Sequence, residues 1–131
     1  MKNHRIYTSM NFEHLLDRIM DLDGNIRHAR ICDMNGNVVC SRQRRGVVNL
    51  LTEEETRESL KYSVNSWKTR AKLSHKIGAG RYVLAVYEKL RRVTMPLGGD
   101  HLLLVSFDNK GGQMDILEKL ENELHGDYTH Y

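Results

Sequence analysis

The sequence predicts an α+β domain whose helices and strands follow one another in the order α-β-β-α-β-β-β-α. Three observations lead to this order: three segments with apolar residues at helical spacing, an Asn-Gly turn between two β-compatible runs, and three successive apolar runs between Tyr82 and Phe107. The 131 residues, 40% of them hydrophobic and 28% charged, have ordinary globular composition. We therefore expect residues 1–131 to form a single domain, with flexible tails at about 1–8 and 126–131.

Five apolar residues with helical spacing predict a first helix over about residues 10–22. They are Phe12, Leu15, Leu16, Ile19 and Met20. The helix is followed by two β-compatible runs that flank Asn35-Gly36. This dipeptide is a strong hairpin signal, and it predicts the first two strands.

The segment after Thr52 carries the clearest helix signals in the chain. Thr52 suits the N-cap, three glutamates occupy the first turn, and basic residues precede Gly78. We predict one continuous helix up to Gly78, with an apolar stripe and a basic stripe about a quarter turn apart. The apolar stripe comprises Leu60, Val64, Trp67 and Ala71, and the basic stripe comprises Arg57, Lys61, Lys68 and Lys72.

Three strands and a closing helix complete the order. The strands are predicted at about 81–88, 91–97 and 101–107, joined by the short segments EKL and GGD. The last helix follows from the segment GGQMDILEKLENELHG, whose apolar residues share one face. These are Met114, Leu117, Leu120 and Leu124.

Cys32 and Cys40 flank the predicted turn, and neither possible geometry favours a disulfide. A two-residue turn would place Cys40 opposite Ile31, with the thiols on opposite faces of the sheet. A three-residue loop closed by Gly36 would place the thiols diagonally on one face, beyond disulfide reach. Free thiols indicate a reducing compartment. The longest aliphatic runs have four residues and no signal-peptide core is visible, so we expect a soluble, cytoplasmic protein.

No catalytic or cofactor motif is present, so we expect neither enzyme activity nor a cofactor. The GAGRY segment lacks the spacing and the Lys-Ser/Thr of a P-loop, and paired zinc-ligand motifs are missing. His28 and Cys32, with His101 as a third ligand, form a weak metal candidate. A partly buried histidine and an inert thiol are the plainer interpretation. Catalysis by Cys32 would require a base and an electropositive opening.

The order of elements, the DMNGNVV hairpin after the first helix and the apolar strand after the long second helix together resemble the Roadblock/dynein light-chain superfamily. The resemblance covers nearly the whole chain. It implies one antiparallel sheet in the order 2-1-5-4-3, with the second helix on one face and the other helices on the opposite face. The segments WKTR, LSHK and YEK also resemble small archaeal proteins of unknown function.

Strand three would then lie at a sheet edge, with apolar residues on both faces and no charged residue from Tyr82 to Tyr87. Natural sheet edges are normally protected by charge, proline or bulges, so an apolar edge predicts a partner strand. The resemblance implies a two-fold dimer that pairs strand three with its copy and packs the second helices together. A place in the chain's own core is the plainer interpretation of Trp67. The predicted interface comprises Val64, Trp67, Tyr82, Val83, Leu84, Ala85 and Val86.

These observations predict a non-catalytic, homodimeric adaptor or regulator. The resemblance implies a small Ras-like GTPase or a larger assembly as its partner. The basic stripe is either a solvated helix face or a contact for an anionic partner. One alternative function is a small-ligand sensor with a pocket near His28, Cys32 and Trp67. Another is electrostatic nucleic-acid binding, which the absence of interleaved aromatic residues disfavours.

Overall fold

The computed structural model describes residues 9–110 and 113–125, and the predicted tails at 1–8 and 126–131 lie outside them. Helices and strands follow one another in the predicted order, with one additional short helix after the second helix. In chain order the elements are α1 (Ser9–Leu22), β1 (Ile26–Asp33), β2 (Val38–Gln43), α2 (Glu53–Ala71), α3 (Ser74–Ile77), β3 (Val83–Val86), β4 (Leu90–Leu97), β5 (His101–Asp108) and α4 (Gln113–His125).

The five strands form one sheet in the order β2-β1-β5-β4-β3, and every neighbouring pair is antiparallel. The predicted α+β class and strand order are thus confirmed. One core cluster joins α1 and α4 to one face of the sheet, and it contains the fully buried Phe107. A smaller cluster joins α2 to the other face through Leu60, Val64, Trp67 and their sheet neighbours.

The β1–β2 hairpin closes with a three-residue loop. The Gly36 N–H donates to Asp33 O at 3.1 Å, and Gly36 has a positive φ of 85° that favours glycine. A bulge between Ile31 and Cys32 then shifts the register, so that Ile31 pairs with Cys40. Because of this bulge the thiols lie on opposite faces of the sheet, Cys32 in the α2 cluster and Cys40 against the other core. Both cysteines are free.

Helix α2 begins as predicted and ends earlier than predicted. Thr52 and Glu55 form a capping box, in which each side chain accepts a hydrogen bond from the other residue's backbone N–H. The prediction of one helix up to Gly78 was wrong, because the chain breaks after Ala71 and resumes as the single turn α3. The Ser74 hydroxyl donates to Ala71 O at 2.8 Å, a side-chain bond that competes with the helical ladder.

Strand β3 is shorter than the predicted range of 81–88. It ends at Val86 because the Tyr87 N–H donates to Leu90 O, which closes a tight turn into β4. The Asn109 side-chain amide donates to Tyr87 O at 3.0 Å and holds this turn against the end of β5. The other predicted strand and helix limits before α4 differ from the structure by about one residue.

Candidate functional site

Strand β3 forms one edge of the sheet and pairs only with β4. Leu84 packs against the α1–α4 core, whereas Val83 packs against the α2 cluster, so apolar residues cover both faces of this strand. Val86 and Tyr87 remain 62% and 54% exposed at its end. The edge therefore presents backbone hydrogen-bonding groups beside apolar surface, with no charged side chain within the strand.

The opposite edge of the sheet, β2, is protected by charge. Arg42 lies on this strand and forms ion pairs with Glu13 at 3.2 Å and Asp17 at 2.8 Å, both on α1. The strand also exposes Val39. The two edges thus differ, since β2 carries a cation held over its surface and β3 has no charged residue.

Two residues of the predicted dimer interface do not reach the surface. Val64 and Trp67 are only 2% and 6% exposed, because they pack against the chain's own sheet. The Trp67 indole N–H also donates to Thr94 Oγ1 at 2.8 Å. Both side chains are therefore core residues of this chain, in agreement with the plainer interpretation of Trp67, and little of either is left for contact with a partner.

The basic stripe of α2 is exposed along its length. Its members are Arg57, Lys61, Lys68 and Lys72. Arg57 pairs with Glu54 on the same helix face. Lys61 packs over the hairpin loop, where a Cβ at Gly36 would lie 3.0 Å from Lys61 Cγ. The structure thus places all four cations where an anionic surface can reach them.

A cleft of about 720 Å³ opens between the N-terminal half of α2 and the sheet. Its position corrects the pocket expected near His28, Cys32 and Trp67, because only His28 lines it. Cys32 and Trp67 are instead buried under α2. The lining residues are His28, Arg30, Val38, Asn49, Leu50, Leu51, Glu53, Thr56, Arg57, Leu60, Tyr87, Glu88, Lys89, Leu90, Arg92, Leu104 and Ser106.

His28 is held at the wall of this cleft by two hydrogen bonds. Its Nε2 lies 3.1 Å from Asn49 Oδ1, and its Nδ1 lies 2.7 Å from Ser106 Oγ. With the Asn49 oxygen facing the ring, the arrangement fits the tautomer in which Nε2 donates to Asn49 and Nδ1 accepts from the serine hydroxyl. Burial lowers the pKa of His28 most strongly, and the charges of nearby arginines lower it further.

We expect the free energy of unfolding to fall as the pH drops below about 6.5, where the unfolded chain takes up a proton on His28. The folded chain resists that proton because the His28 pKa is lowered. Denaturant unfolding from about pH 8 to about pH 5 measures this slope. The slope should be smaller in His28→Gln and unchanged in the control His14→Gln, which alters an exposed histidine on α1. Equal slopes in both variants would show that His28 is not the source of this pH dependence.

The metal and nucleophile candidates do not come together. Cys32 is buried, and burial followed by the charge of Asp33 raises its pKa to about 11, so the thiol stays protonated near neutral pH. His101 packs its ring against Phe12 of the α1–α4 core, away from the α2 cluster that holds Cys32. The structure agrees with the plainer interpretation of these residues, a partly buried histidine and an inert thiol.

The described part of the chain offers neither a metal cluster nor a membrane span. Within 9–110 and 113–125, no three His, Cys, Asp or Glu side chains converge in the manner that a metal ion requires. None of the helices formed by these residues combines the length and the apolar character needed to cross a bilayer.

Sequence reasoning missed most of the polar cleft residues. Asn49, Arg92 and Ser106 come from a loop and from two other strands, and only the strand register brings them to His28. One local signal was available: His28 and Arg30 alternate with the buried Ala29 and Ile31, which indicates a polar patch on one sheet face.

Several solved structures share this fold. An MglB with a tetrameric arrangement has a TM-score of 0.72 and 12% identity, over 96% of this chain and 93% of that chain. The gliding protein MglB of Thermus thermophilus has a TM-score of 0.70 and 13% identity, over 95% and 94%. A Roadblock/LC7 domain from Streptomyces avermitilis has a TM-score of 0.64 and 9% identity, over 86% and 91%.

Comparisons of sequence add nothing to this likeness. No protein-family model matches the chain, and no curated protein matches it. At identities of 9–13% the structural likeness concerns the fold alone. The resemblance drawn from the order of elements is confirmed at that level: this chain has the fold of the Roadblock/LC7 domains.

Proposed function

We propose that the chain is a non-catalytic, cytoplasmic adaptor or regulatory domain that forms a homodimer through β3. The observation that carries this proposal is the edge of β3, which within residues 9–110 and 113–125 pairs with β4 alone and exposes the side chains of Val86 and Tyr87. Addition of a second copy would pair with the backbone groups of this edge and bury apolar surface at the same time. A solved structure of the same fold, an MglB, has a tetrameric arrangement, which supports self-association of this chain in general.

The partner in this proposal is a small Ras-like GTPase or a larger assembly, as the Roadblock resemblance implies. The basic stripe of α2 supplies four exposed cations that would contact an acidic surface on that partner. Val64 and Trp67 take no part, because the sheet of the same chain buries them. The interface residues that remain are Tyr82, Val83, Leu84, Ala85 and Val86, and Tyr87 joins them.

Val86→Lys should convert the dimer into a monomer, since it introduces a cation into the exposed end of the only unprotected strand. Val86 is the appropriate position because it is exposed, whereas Val83 packs against the core and its replacement would disturb the fold. Light scattering coupled to size exclusion gives the mass of each variant directly. Ala85→Lys serves as a second variant on the other face of the strand.

The matched control is Val39→Lys on the opposite edge of the sheet, where the side chain is 49% exposed. This variant should retain the dimer mass. A wild-type protein that is monomeric at all concentrations would exclude the proposal. A dimer that survives both β3 variants would exclude this interface.

The partner is tested by capture from an extract of the source cells on the tagged protein, with and without a non-hydrolysable GTP analogue. We expect a small GTPase to be enriched when the analogue is present, and to be lost with Val86→Lys. Recovery of nucleic acid alone, or of this chain alone, would remove the GTPase from the proposal and leave the dimer standing.

A further inference from the structure

The α2 face of the sheet is only partly covered by its helix, and the uncovered part is cationic. Across β1, β5 and β4, His28 and Arg92 lie on either side of Ser106. Arg30 lies in the next row, opposite Leu104. Strand β5 therefore lies between Arg30 and Arg92, and the two residues are offset by two positions along the strands. Their Cα atoms are about 12 Å apart at standard sheet spacings. Both side chains line the same cleft, and at this spacing both can reach a group held between them.

Within the part of the chain that the structure describes, Arg30 and Arg92 both lack a partner of opposite charge. Among the residues that the structure describes, no carboxylate forms an ion pair with Arg30 or Arg92, although several other surface arginines are paired in this way. Burial, and then the charge of Arg92, lowers the pKa of Arg30. Two like charges on one partly buried sheet face destabilise a fold unless something compensates for them.

The remaining lining matches an amphipathic occupant. Leu60 and Leu104 form an apolar floor beside the arginines, with further leucines around them. Arg57 and Lys89 add positive charge, which Glu53 and Glu88 oppose. The volume of about 720 Å³ falls within the range of small-molecule sites.

The loop that walls the cleft is held in place before any ligand arrives. The Arg27 guanidinium donates to Val48 O at 2.9 Å, and the Gln43 side-chain amide donates to Val47 O at 2.9 Å. Asn49 is fixed by His28. Because this loop is already ordered, a ligand that binds beside it loses less binding free energy to conformational entropy.

We propose that this cleft binds a small amphipathic organic anion, with its acidic group between Arg30 and Arg92 and its apolar part against Leu60 and Leu104. Guanidinium groups bind carboxylates and phosphates through charge-assisted hydrogen bonds, so the acidic group is of one of these two kinds. Such a ligand supplies negative charge directly to Arg30 and Arg92, with which no carboxylate of the described residues forms an ion pair. The inference does not depend on dimerisation or on a GTPase.

The test uses four probes with the purified full chain: decanoate, decyl phosphate, inorganic phosphate and 1-decanol, with the amphipathic probes below the concentrations at which they form micelles. We expect at least one of the two amphipathic anions to bind at one site per chain in calorimetry and to raise the melting temperature. Whichever of decanoate and decyl phosphate binds more tightly shows whether the site prefers a carboxylate or a phosphate. Inorganic phosphate and 1-decanol should each bind at least tenfold more weakly. Inorganic phosphate lacks the apolar chain, and 1-decanol lacks the acidic group.

Arg30→Gln and Arg92→Gln should each weaken binding of that anion about tenfold or more, whereas Lys76→Gln, at an exposed position on the short helix α3, should leave it unchanged. Without ligand, the two arginine variants should melt no lower than the wild type, since each removes a like-charge repulsion. Arg30→Lys and Arg92→Lys provide charge-retaining variants if a glutamine variant does not fold. The proposal is overturned if neither anion binds, if 1-decanol binds equally well, or if Lys76→Gln weakens binding as much as the arginine variants.

Discussion

Trp67→Ala should lower the free energy of unfolding by about 3–5 kcal/mol, the typical cost of removing a large buried aromatic side chain. The indole is the largest side chain of the α2 cluster, and it packs with Leu60 and Val64 on the sheet. Its truncation would leave a cavity between α2 and β4 and would remove the hydrogen bond to Thr94 Oγ1. The guanidinium of Arg70, 5.2 Å from the ring centroid, would lose its cation–π contact as well.

Urea denaturation followed by circular dichroism measures this loss. Tyr62→Ala on the same helix is the control, since Tyr62 is 75% exposed and its removal should change the free energy by no more than about 0.5 kcal/mol. A third variant, Trp67→Phe, keeps most of the apolar volume and removes the N–H donor. A loss below about 1 kcal/mol for Trp67→Ala would contradict the tight packing of this side chain between α2 and the sheet.

Gly80→Ala is expected to cost about 1–3 kcal/mol, the usual range for overpacking. A Cβ at this position would lie 2.6 Å from Cζ3 of Trp67, and the indole has little freedom to move because Thr94 holds its N–H. The substitution therefore forces either the ring or the segment before β3 out of place. Differential scanning calorimetry on matched samples detects the resulting decrease in melting temperature.

A double-mutant cycle separates this steric effect from any backbone effect. In the Trp67→Ala background the clash is gone, so Gly80→Ala should then be nearly neutral. Gly99→Ala in the β4–β5 turn is the matched control, because a Cβ there meets nothing within 4 Å. A full cost that persists without the indole would assign the effect to the backbone conformation of Gly80.

The local signals in the sequence were sufficient for most of the secondary structure. Thr52 and the glutamates after it defined the start of α2, and Asn35-Gly36 defined the hairpin, because caps and turns depend on neighbouring residues. The end of α2 was missed because a single serine side chain, Ser74, competes with the helical hydrogen bonds. Strand order is a non-local property, and it came from the family resemblance alone.

The candidate sites were harder to predict, and Trp67 shows why. Helical spacing identifies a stripe that must be buried, but it does not tell whether the chain's own sheet or a second chain covers it. The cleft depends on Arg30 and Arg92. These residues lie on β1 and β4, and they face the same cleft only because both strands pair with β5. No spacing along the sequence connects these two residues.

The contrast between the two sheet edges bears on how far association can proceed. If two chains pair through β3, each unprotected β3 edge is covered by the other. A β2 strand is then the outer strand at either end of the joined sheet. Each of these strands carries Arg42, which is held by α1 of its own chain. Growth by further strand addition would stop there, so sheet extension would yield a closed pair and not a fibre.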